Sequence, residues 1–357
     1  MLEINNFRNI SFLQFKNRNY TVLTGDDEIL LKNICDSIYF YFSEKKISKA
    51  DKSLDDSKLN IVNYFSRKKE PIASKQCIYL SKENIDIEFE LGSKSELYSR
   101  LNNFFKEKLP TEPLLITINN LIKDLAIEEV TENLSNEITK YSDFKLKFSF
   151  GELTSSDLVK KINIEIYKED EEILLNNLNT FEKLKLNLGI LEKENIKDKI
   201  FIFFFPERSL SLRELKELKN FLKNLSINNQ VIVATFSKYL FDFSSLDMIN
   251  IYQENKLKNF LLEDEILDKL EENYPILEVK ENINNKLKFV LGTYLGDIFY
   301  KNIISNKPIL EDNINFIENY EHIFLLLFYL KLSNIKYQKN IEYDKSSPFS
   351  NYIEKLL

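Results

Sequence analysis

The apolar run IFIFFF, residues 200–205, ends at a point where many nucleotide-hydrolysing enzymes carry their chemistry. In those enzymes a buried strand ends in an acidic pair that holds magnesium and positions the attacking water. Here Phe204 and Phe205 take the two acidic positions, and Pro206 and Glu207 follow. Because a phenyl ring neither binds magnesium nor polarises water, we expect a strand without its catalytic pair. We expect both rings to pack into the core.

A second reactive pattern is missing from the stretch YTVLTGDDEILLKN, which begins at residue 20. A phosphate-binding loop reads G-x-x-x-x-G-K-[ST], with glycines for close backbone approach and a lysine for the phosphate charge. Gly25 matches the first glycine, whereas Leu30 stands for the second glycine and Leu31 for the lysine. Residues 26–28 are acidic and lie where the phosphates would bind. We therefore expect no ATP binding.

The third pattern is VIVATFSKYL, in which Phe236 replaces the histidine that would sense a γ-phosphate. The three stretches follow the order of an ATP-binding-cassette head, and each lacks its reactive residue. An unrelated doubly wound protein, whose strands end in apolar residues by chance, is the alternative. The coordinated replacements favour a degenerate cassette head that is not an enzyme.

Composition favours a multidomain protein of the cytoplasm. The chain has 357 residues, two cysteines and a formal net charge of −7. The start of the sequence lacks a signal-peptide pattern, and the longest apolar run is too short to span a bilayer. The acidic balance argues against a nucleic-acid binder, yet residues 44–77 carry nine Lys or Arg against five Asp or Glu. That excess is a basic patch or a solvated lysine-rich loop.

Periodicity predicts an α/β fold in four parts. Residues 1–92 form the first part of the head, and residues 93–150 a helical leg inserted between its strands. Residues 151–260 complete the head, and residues 261–357 form a mostly helical C-terminal domain. Within the head, Ser211 and Glu214 match a capping box that starts a helix between two parallel strands.

This order of elements resembles the DNA-end-binding accessory proteins of type II-A CRISPR systems, in their large form. The resemblance lies in TVLTGDDEILLKNICDSIYFYF, CIYLS, SELYSRLNNFFKEKL, FEKLKLNLGILEKENIKDKIFIFF and LSLRELKELKNFLKNLSINNQVIVATF. It covers roughly residues 1–245. Residues after that resemble the C-terminal extension of large members only in position and length.

The resemblance implies a P-loop-like head with a degenerate nucleotide site, an inserted helical leg and a C-terminal extension. It implies a homotetrameric ring that threads linear double-stranded DNA and acts in spacer acquisition, and so in antiviral defence. The partners would then be DNA ends, the integrase subunits and the type II RNA-guided nuclease.

By the same resemblance, the basic segment SRKKEPIASK occupies the position of the family's basic loop. We predict phosphate contacts from Arg67, Lys68, Lys69 and Lys75, and a weaker one from Lys32 on the first helix. Lysines on a channel wall give sequence-independent, salt-sensitive binding, which suits the capture of any DNA end. The alternative is that these side chains only make the surface soluble.

The family also binds calcium through acidic residues of the leg. This implies a calcium site among Glu128, Glu129, Glu132, Glu137 and Glu152. Calcium takes six to eight oxygen ligands, and carboxylates four residues apart on one helix face can share an ion. An acidic helix face without a metal is the alternative.

Two other functions remain open. An active cassette or recombination-type ATPase would need a P-loop lysine and an acidic pair, which the sequence lacks. A scaffold that binds other adaptation proteins without touching DNA would need none of the basic residues.

Overall fold

The computed structural model of the protein describes residues 1–43, 58–70, 77–81, 96–108, 113–124, 153–162, 166–168, 171–173, 177–193, 197–298, 314, 317–337 and 346–357. Its strands are β1 Leu2–Phe7, β2 Ile10–Phe15, β3 Tyr20–Gly25, β4 Asn60–Asn63, β5 Cys77–Leu80, β6 Ile166–Lys168, β7 Glu171–Ile173, β8 Ile200–Phe204, β9 Gln230–Ala234, β10 Ile249–Gln253 and β11 Lys256–Leu257. Its helices are α1 Glu28–Phe42, α2 Glu96–Lys108, α3 Pro113–Asp124, α4 Ser155–Val159, α5 Thr180–Lys193, α6 Leu212–Leu225, α7 Glu263–Asn273, α8 Lys280–Val290, α9 Tyr320–Leu332 and α10 Ser350–Leu356.

The chain forms two compact units, of residues 1–82 with 188–357 and of residues 83–187. The four-part division predicted from the sequence stays a prediction. In the first unit, six strands form a sheet in the order β11-β10-β3-β9-β8-β5, parallel except for β11. β3 is buried throughout, because a parallel strand in the middle of a sheet is covered on both faces. The predicted mixed α/β fold is confirmed.

The main core lies on both sides of α1. A three-stranded antiparallel sheet, in the order β2-β1-β4, covers one side of this helix, and the six-stranded sheet covers the other. Leu31, Ile34 and Ile38 have no exposed surface. A helix that packs between two sheets must bury most of its circumference, and α1 therefore has apolar residues on more than one face.

The crossover from β8 to β9 runs through α6, as the sequence predicts. Ser211 caps the helix: its hydroxyl accepts a hydrogen bond from the Glu214 N–H, and the Glu214 carboxylate accepts one from the Ser211 N–H at 2.7 Å. The predicted hairpin near Asn255 joins β10 to β11. Glu254 and Asn255 have φ angles of 52° and 59°, and positive φ at both central residues is the mark of a type I′ turn.

The C-terminal helices belong to the same compact unit as the head strands. α8 continues through a π-helical turn, Leu291–Leu295, and α9 is buried from Ile323 to Leu330. Asn259 joins β10 to α9: its side-chain amide accepts from the Ile251 N–H at 2.9 Å, and its NH₂ group lies 3.4 Å from the Tyr329 hydroxyl. Among the described residues, no helix has the length and hydropathy needed to cross a membrane.

The second unit contains α2, α3, α4 and the β6–β7 hairpin. Pro113 stands at the first position of α3, where its missing N–H costs nothing. The sequence predicts a helix from residue 114 to about residue 134, and the part beyond residue 124 lies outside the described residues. Thr154 and Asp157 form a capping box at the start of α4.

Candidate functional site

The three stretches with replaced reactive residues meet at one edge of the parallel sheet. β3, β8 and β9 are parallel neighbours, so their carboxyl ends lie at the same edge. There the ring centroid of Phe205 lies 4.6 Å from that of Phe204 and 4.4 Å from that of Phe236. Phe205 is 3 % exposed and belongs to the main core, as predicted, and the other two rings pack against that core while partly buried. An aromatic cluster therefore lies at the carboxyl ends of β8 and β9.

Phe205 has a left-handed backbone, with φ 47° and ψ 55°. This conformation costs a residue with a Cβ about 1–2 kcal/mol. Three interactions hold it: the Phe205 N–H donates to the Ala234 carbonyl at 2.8 Å, the ring packs in the cluster, and the Arg208 guanidinium lies 4.7 Å from its centroid. Packing and hydrogen bonding thus maintain a backbone that the residue itself disfavours.

Glu207 joins the loop after β8 to the loop after β9. One carboxylate oxygen accepts a hydrogen bond from the Phe236 N–H at 2.7 Å. Burial raises the pKa of this carboxyl, while that hydrogen bond opposes the shift. The other oxygen is buried without a hydrogen-bond partner among the described residues. The carboxylate therefore fixes the backbone at the position of the absent histidine.

The amino end of α1 is occupied by the protein's own acidic groups. The Asp27 carboxylate accepts a hydrogen bond from the Ile29 N–H at 2.8 Å and so caps the helix. Asp26 accepts one from the Glu254 N–H at 3.2 Å, and burial raises its pKa. Glu28 forms an ion pair with Arg208. A helix amino end attracts anions, and here the anionic groups are carboxylates of the protein itself.

Gly25 has a packing role at this edge. A Cβ added there would lie 2.3 Å from the Tyr252 carbonyl oxygen, which is closer than real Cβ contacts. Leu31, at the lysine position of a phosphate-binding loop, is fully buried in the main core. The glycine is therefore explained by the approach of β10 without reference to a ligand.

The described part of the predicted basic loop belongs to a short hairpin, the basic hairpin, formed by residues 60–70. β4 is its first strand, and Lys69 returns to pair with Val62. The Asn63 side-chain oxygen accepts hydrogen bonds from the N–H groups of Phe65 and Ser66, both at 3.1 Å. An asparagine whose side chain accepts hydrogen bonds from the N–H groups two and three residues further on stabilises a tight turn.

The basic residues of this hairpin have different surroundings. The Arg67 guanidinium pairs with the Glu3 carboxylate at 2.7 Å and lies 4.8 Å from the centroid of Tyr64. Glu3 is buried, so this pair braces the turn against β1. Lys68 and Lys69 are exposed, and neither side chain forms an ion pair with another described residue. An anionic ligand can therefore bind Lys68 and Lys69 without displacing an acidic side chain of the described residues.

The remaining predicted residues are scattered or undescribed. Lys32 is exposed on α1. Lys75 and all five glutamates of the predicted calcium site, Glu128, Glu129, Glu132, Glu137 and Glu152, lie outside the described residues. The described part of the chain contains no group of His, Cys, Asp and Glu side chains suited to a metal. Calcium binding stays a prediction.

Sequence reasoning missed the aromatic residues of the basic hairpin. Tyr64 packs edge-to-face on Phe65 at 5.3 Å and on Phe260 at 5.7 Å. Phe65 is nevertheless 65 % exposed at the tip of the turn. The signal was present as an aromatic pair immediately before SRKK, but only the structure shows that Tyr64 is partly buried and that Phe65 faces solvent.

The comparisons with known proteins concern the fold. No protein-family model matches the chain, and no curated protein sequence is significantly similar to it. The SmcHead bound to the C-winged helix domain of ScpA matches at a TM-score of 0.37 with 13 % identity, over 71 % of this chain and 94 % of that one, which is too distant to inform the fold. Stu0660 of Streptococcus thermophilus matches at a TM-score of 0.60 with 15 % identity, over 99 % of both chains. The chain therefore shares its fold with Stu0660 along its length.

Proposed function

We propose that the protein binds the ends of double-stranded DNA without hydrolysing nucleotides and acts in CRISPR spacer acquisition. The observation that carries the proposal is the pair of exposed lysines, Lys68 and Lys69, on a braced turn of an otherwise acidic protein. Sequence-independent capture of DNA needs cations that are not already neutralised. The resemblance of the sequence to CRISPR accessory proteins supplies the biological setting.

The residues at the carboxyl-end edge of the parallel sheet also support the proposal that the protein does not hydrolyse nucleotides. Asp27 already accepts the helix N–H that a phosphate would use, and the Phe204–Phe205–Phe236 cluster occupies the positions of magnesium ligands and sensor. An incoming triphosphate would meet like charge at Asp27 and Glu28, and Leu31 stands at the position of the phosphate-binding lysine. We therefore favour a degenerate cassette-like head over an active ATPase.

The proposal includes the assembly that the resemblance implies. The protein forms a homotetrameric ring around linear DNA, calcium supports that assembly, and the integrase subunits and RNA-guided nuclease are its partners. The phosphate contacts that the resemblance implies for Lys32, Arg67 and Lys75 belong to the same proposal, and Arg67 also braces the hairpin through Glu3.

The test measures DNA affinity by fluorescence anisotropy with linear and covalently closed circular duplexes of the same sequence. We expect tighter binding to linear DNA and no dependence on ATP. The double variant Lys68→Glu/Lys69→Glu should weaken binding and lower the slope of log affinity against log salt by about two for each protomer that contacts DNA, at roughly one unit per lost phosphate contact. The matched control, Lys216→Glu/Lys269→Glu, changes two other exposed lysines by the same total charge.

Three results would contradict the proposal. Equal affinity for circles and linear duplex would exclude end capture. DNA-stimulated ATP turnover would favour the ATPase, and unchanged binding by the Lys68→Glu/Lys69→Glu variant would favour a protein-binding scaffold.

A further inference from the structure

The basic hairpin carries an exposed aromatic ring three residues before its two exposed lysines. Phe65 is 65 % exposed, and Lys68 and Lys69 follow it in the same turn. Exposing a phenyl ring forgoes the free energy of burying it, which for a large apolar side chain is about 1.5–3 kcal/mol. An exposed ring at this position therefore favours the interpretation that this surface becomes buried when the hairpin binds its ligand.

Contacts within the hairpin fix the orientation of the Phe65 ring. The Phe65 N–H donates to the Asn63 side chain, and the Phe65 and Tyr64 rings pack in a T-shaped arrangement with their planes at 83°. Tyr64 is itself fixed between Phe260 and the Arg67 guanidinium. A ring oriented before binding loses little conformational entropy when it stacks on a ligand. The hairpin tip thus presents the exposed ring of Phe65 in a fixed orientation.

Stacking requires a flat partner, and the cations at the tip favour an anionic one. Nucleic acids combine phosphates with aromatic bases, and bases stack on aromatic side chains regardless of their sequence. In a continuous duplex, each base pair covers the faces of its neighbours. A base face is free only at an end or where a strand is unpaired.

We propose that Phe65 stacks on the exposed face of the terminal base at a DNA end, while Lys68 and Lys69 contact the adjoining phosphates. This inference rests on the proposed function and adds to the enclosing ring a contact that recognises the DNA end itself. The lysines attract any duplex, and Phe65 adds affinity only where a base face is free. Loss of Phe65 should lower affinity for linear DNA roughly 5- to 150-fold, since stacking contributes about 1–3 kcal/mol per base. Affinity for closed circles should not change.

The experiment compares four variants on blunt linear duplex and on closed circles at one salt concentration. Phe65→Ala removes the ring, and Phe65→Leu keeps apolar bulk without a flat face. Phe65→Trp keeps a stacking ring and reports on it directly, because the chain contains no other tryptophan. Phe289→Ala is the control, since Phe289 is similarly exposed, at 60 %, on α8.

We expect Phe65→Ala and Phe65→Leu to bind linear DNA at least about fivefold more weakly than wild type, whereas Phe65→Trp and Phe289→Ala retain its affinity. The fluorescence of the Phe65→Trp variant should be quenched by linear duplex and unaffected by circles. Wild-type affinity in Phe65→Leu, or fluorescence that linear DNA leaves unchanged, would overturn the stacking inference. If the wild-type protein binds no duplex, or if Lys68→Glu/Lys69→Glu binds normally, the proposed function itself is wrong. Dependence on the lysines without dependence on Phe65 overturns the stacking inference alone.

Discussion

Phe205 allows a sharp test of how the aromatic cluster is stabilised, because its side chain and its backbone make opposite contributions. Replacing this buried ring with alanine should lower the free energy of unfolding by about 3–5 kcal/mol, the usual cost of Phe→Ala in a core. Alanine retains the strain of the left-handed backbone, since it still has a Cβ. Glycine removes that strain, which amounts to about 1–2 kcal/mol per residue. We therefore expect Phe205→Gly to be more stable than Phe205→Ala by about 1 kcal/mol, despite the greater flexibility of glycine in the unfolded chain.

Phe203 provides the matched control two residues earlier. It is equally buried, at 1 %, but lies in β8 and pairs with Val233 in the regular parallel register. Glycine within a strand is less stable than alanine by about 0.5–1 kcal/mol, so Phe203→Gly should be less stable than Phe203→Ala. The order of the two substitutions should therefore reverse between positions 203 and 205.

Urea unfolding, followed by far-ultraviolet circular dichroism, measures the four variants. Tyrosine fluorescence gives a second signal, because the chain has 18 tyrosines and no tryptophan. The reasoning is refuted if glycine and alanine rank in the same order at both positions. In that case the left-handed backbone of Phe205 carries no measurable strain.

Two further predictions concern stability. Burial lowers the pKa of Lys16 to about 8 from its ordinary value of 10.5, so the unfolded chain binds more protons between these values. Stability should therefore rise with pH from about 8 to 10.5, by about 3 kcal/mol more in wild type than in Lys16→Met, as urea unfolding across that range would show; parallel pH profiles would contradict this. Gly25→Ala should lower the thermal midpoint markedly, because its Cβ would lie 2.3 Å from the Tyr252 carbonyl and the overpacking costs about 1–3 kcal/mol. Gly189→Ala is the control, since nothing lies within 4 Å of a Cβ at that position, and an equal loss in both variants would refute the packing role of Gly25.

Much of the head could be predicted because its signals are local. The capping box of Ser211 and Glu214 involves groups three residues apart, and the buried run of β8 needs no distant partner to be recognised. The β8–α6–β9 crossover follows from the alternation of strand and helix. Because neighbouring parallel strands end at the same edge of a sheet, the three stretches could also be expected to meet at that edge.

Other features depend on contacts between distant parts of the chain. Arg67 pairs with Glu3, which lies 64 residues earlier, so its bracing role could not be separated in the sequence from the exposed positions of Lys68 and Lys69. Likewise, the sequence shows Tyr64 and Phe65 as equivalent neighbours. Only packing against Phe260 decides which ring is fixed at the base.

The sequence by itself determined that the reactive residues of a nucleotide site are absent, because residue type limits chemistry wherever the side chain lies. Leucine cannot supply the charge of a lysine, and phenylalanine cannot bind magnesium. The tertiary structure alone decided what lies at this edge of the sheet: a left-handed Phe205, a carboxylate that holds the Phe236 backbone, and an aspartate that caps α1. These arrangements depend on the meeting of three strand ends, each followed by its own loop. Their geometry is set by long-range packing that no local pattern of residues contains.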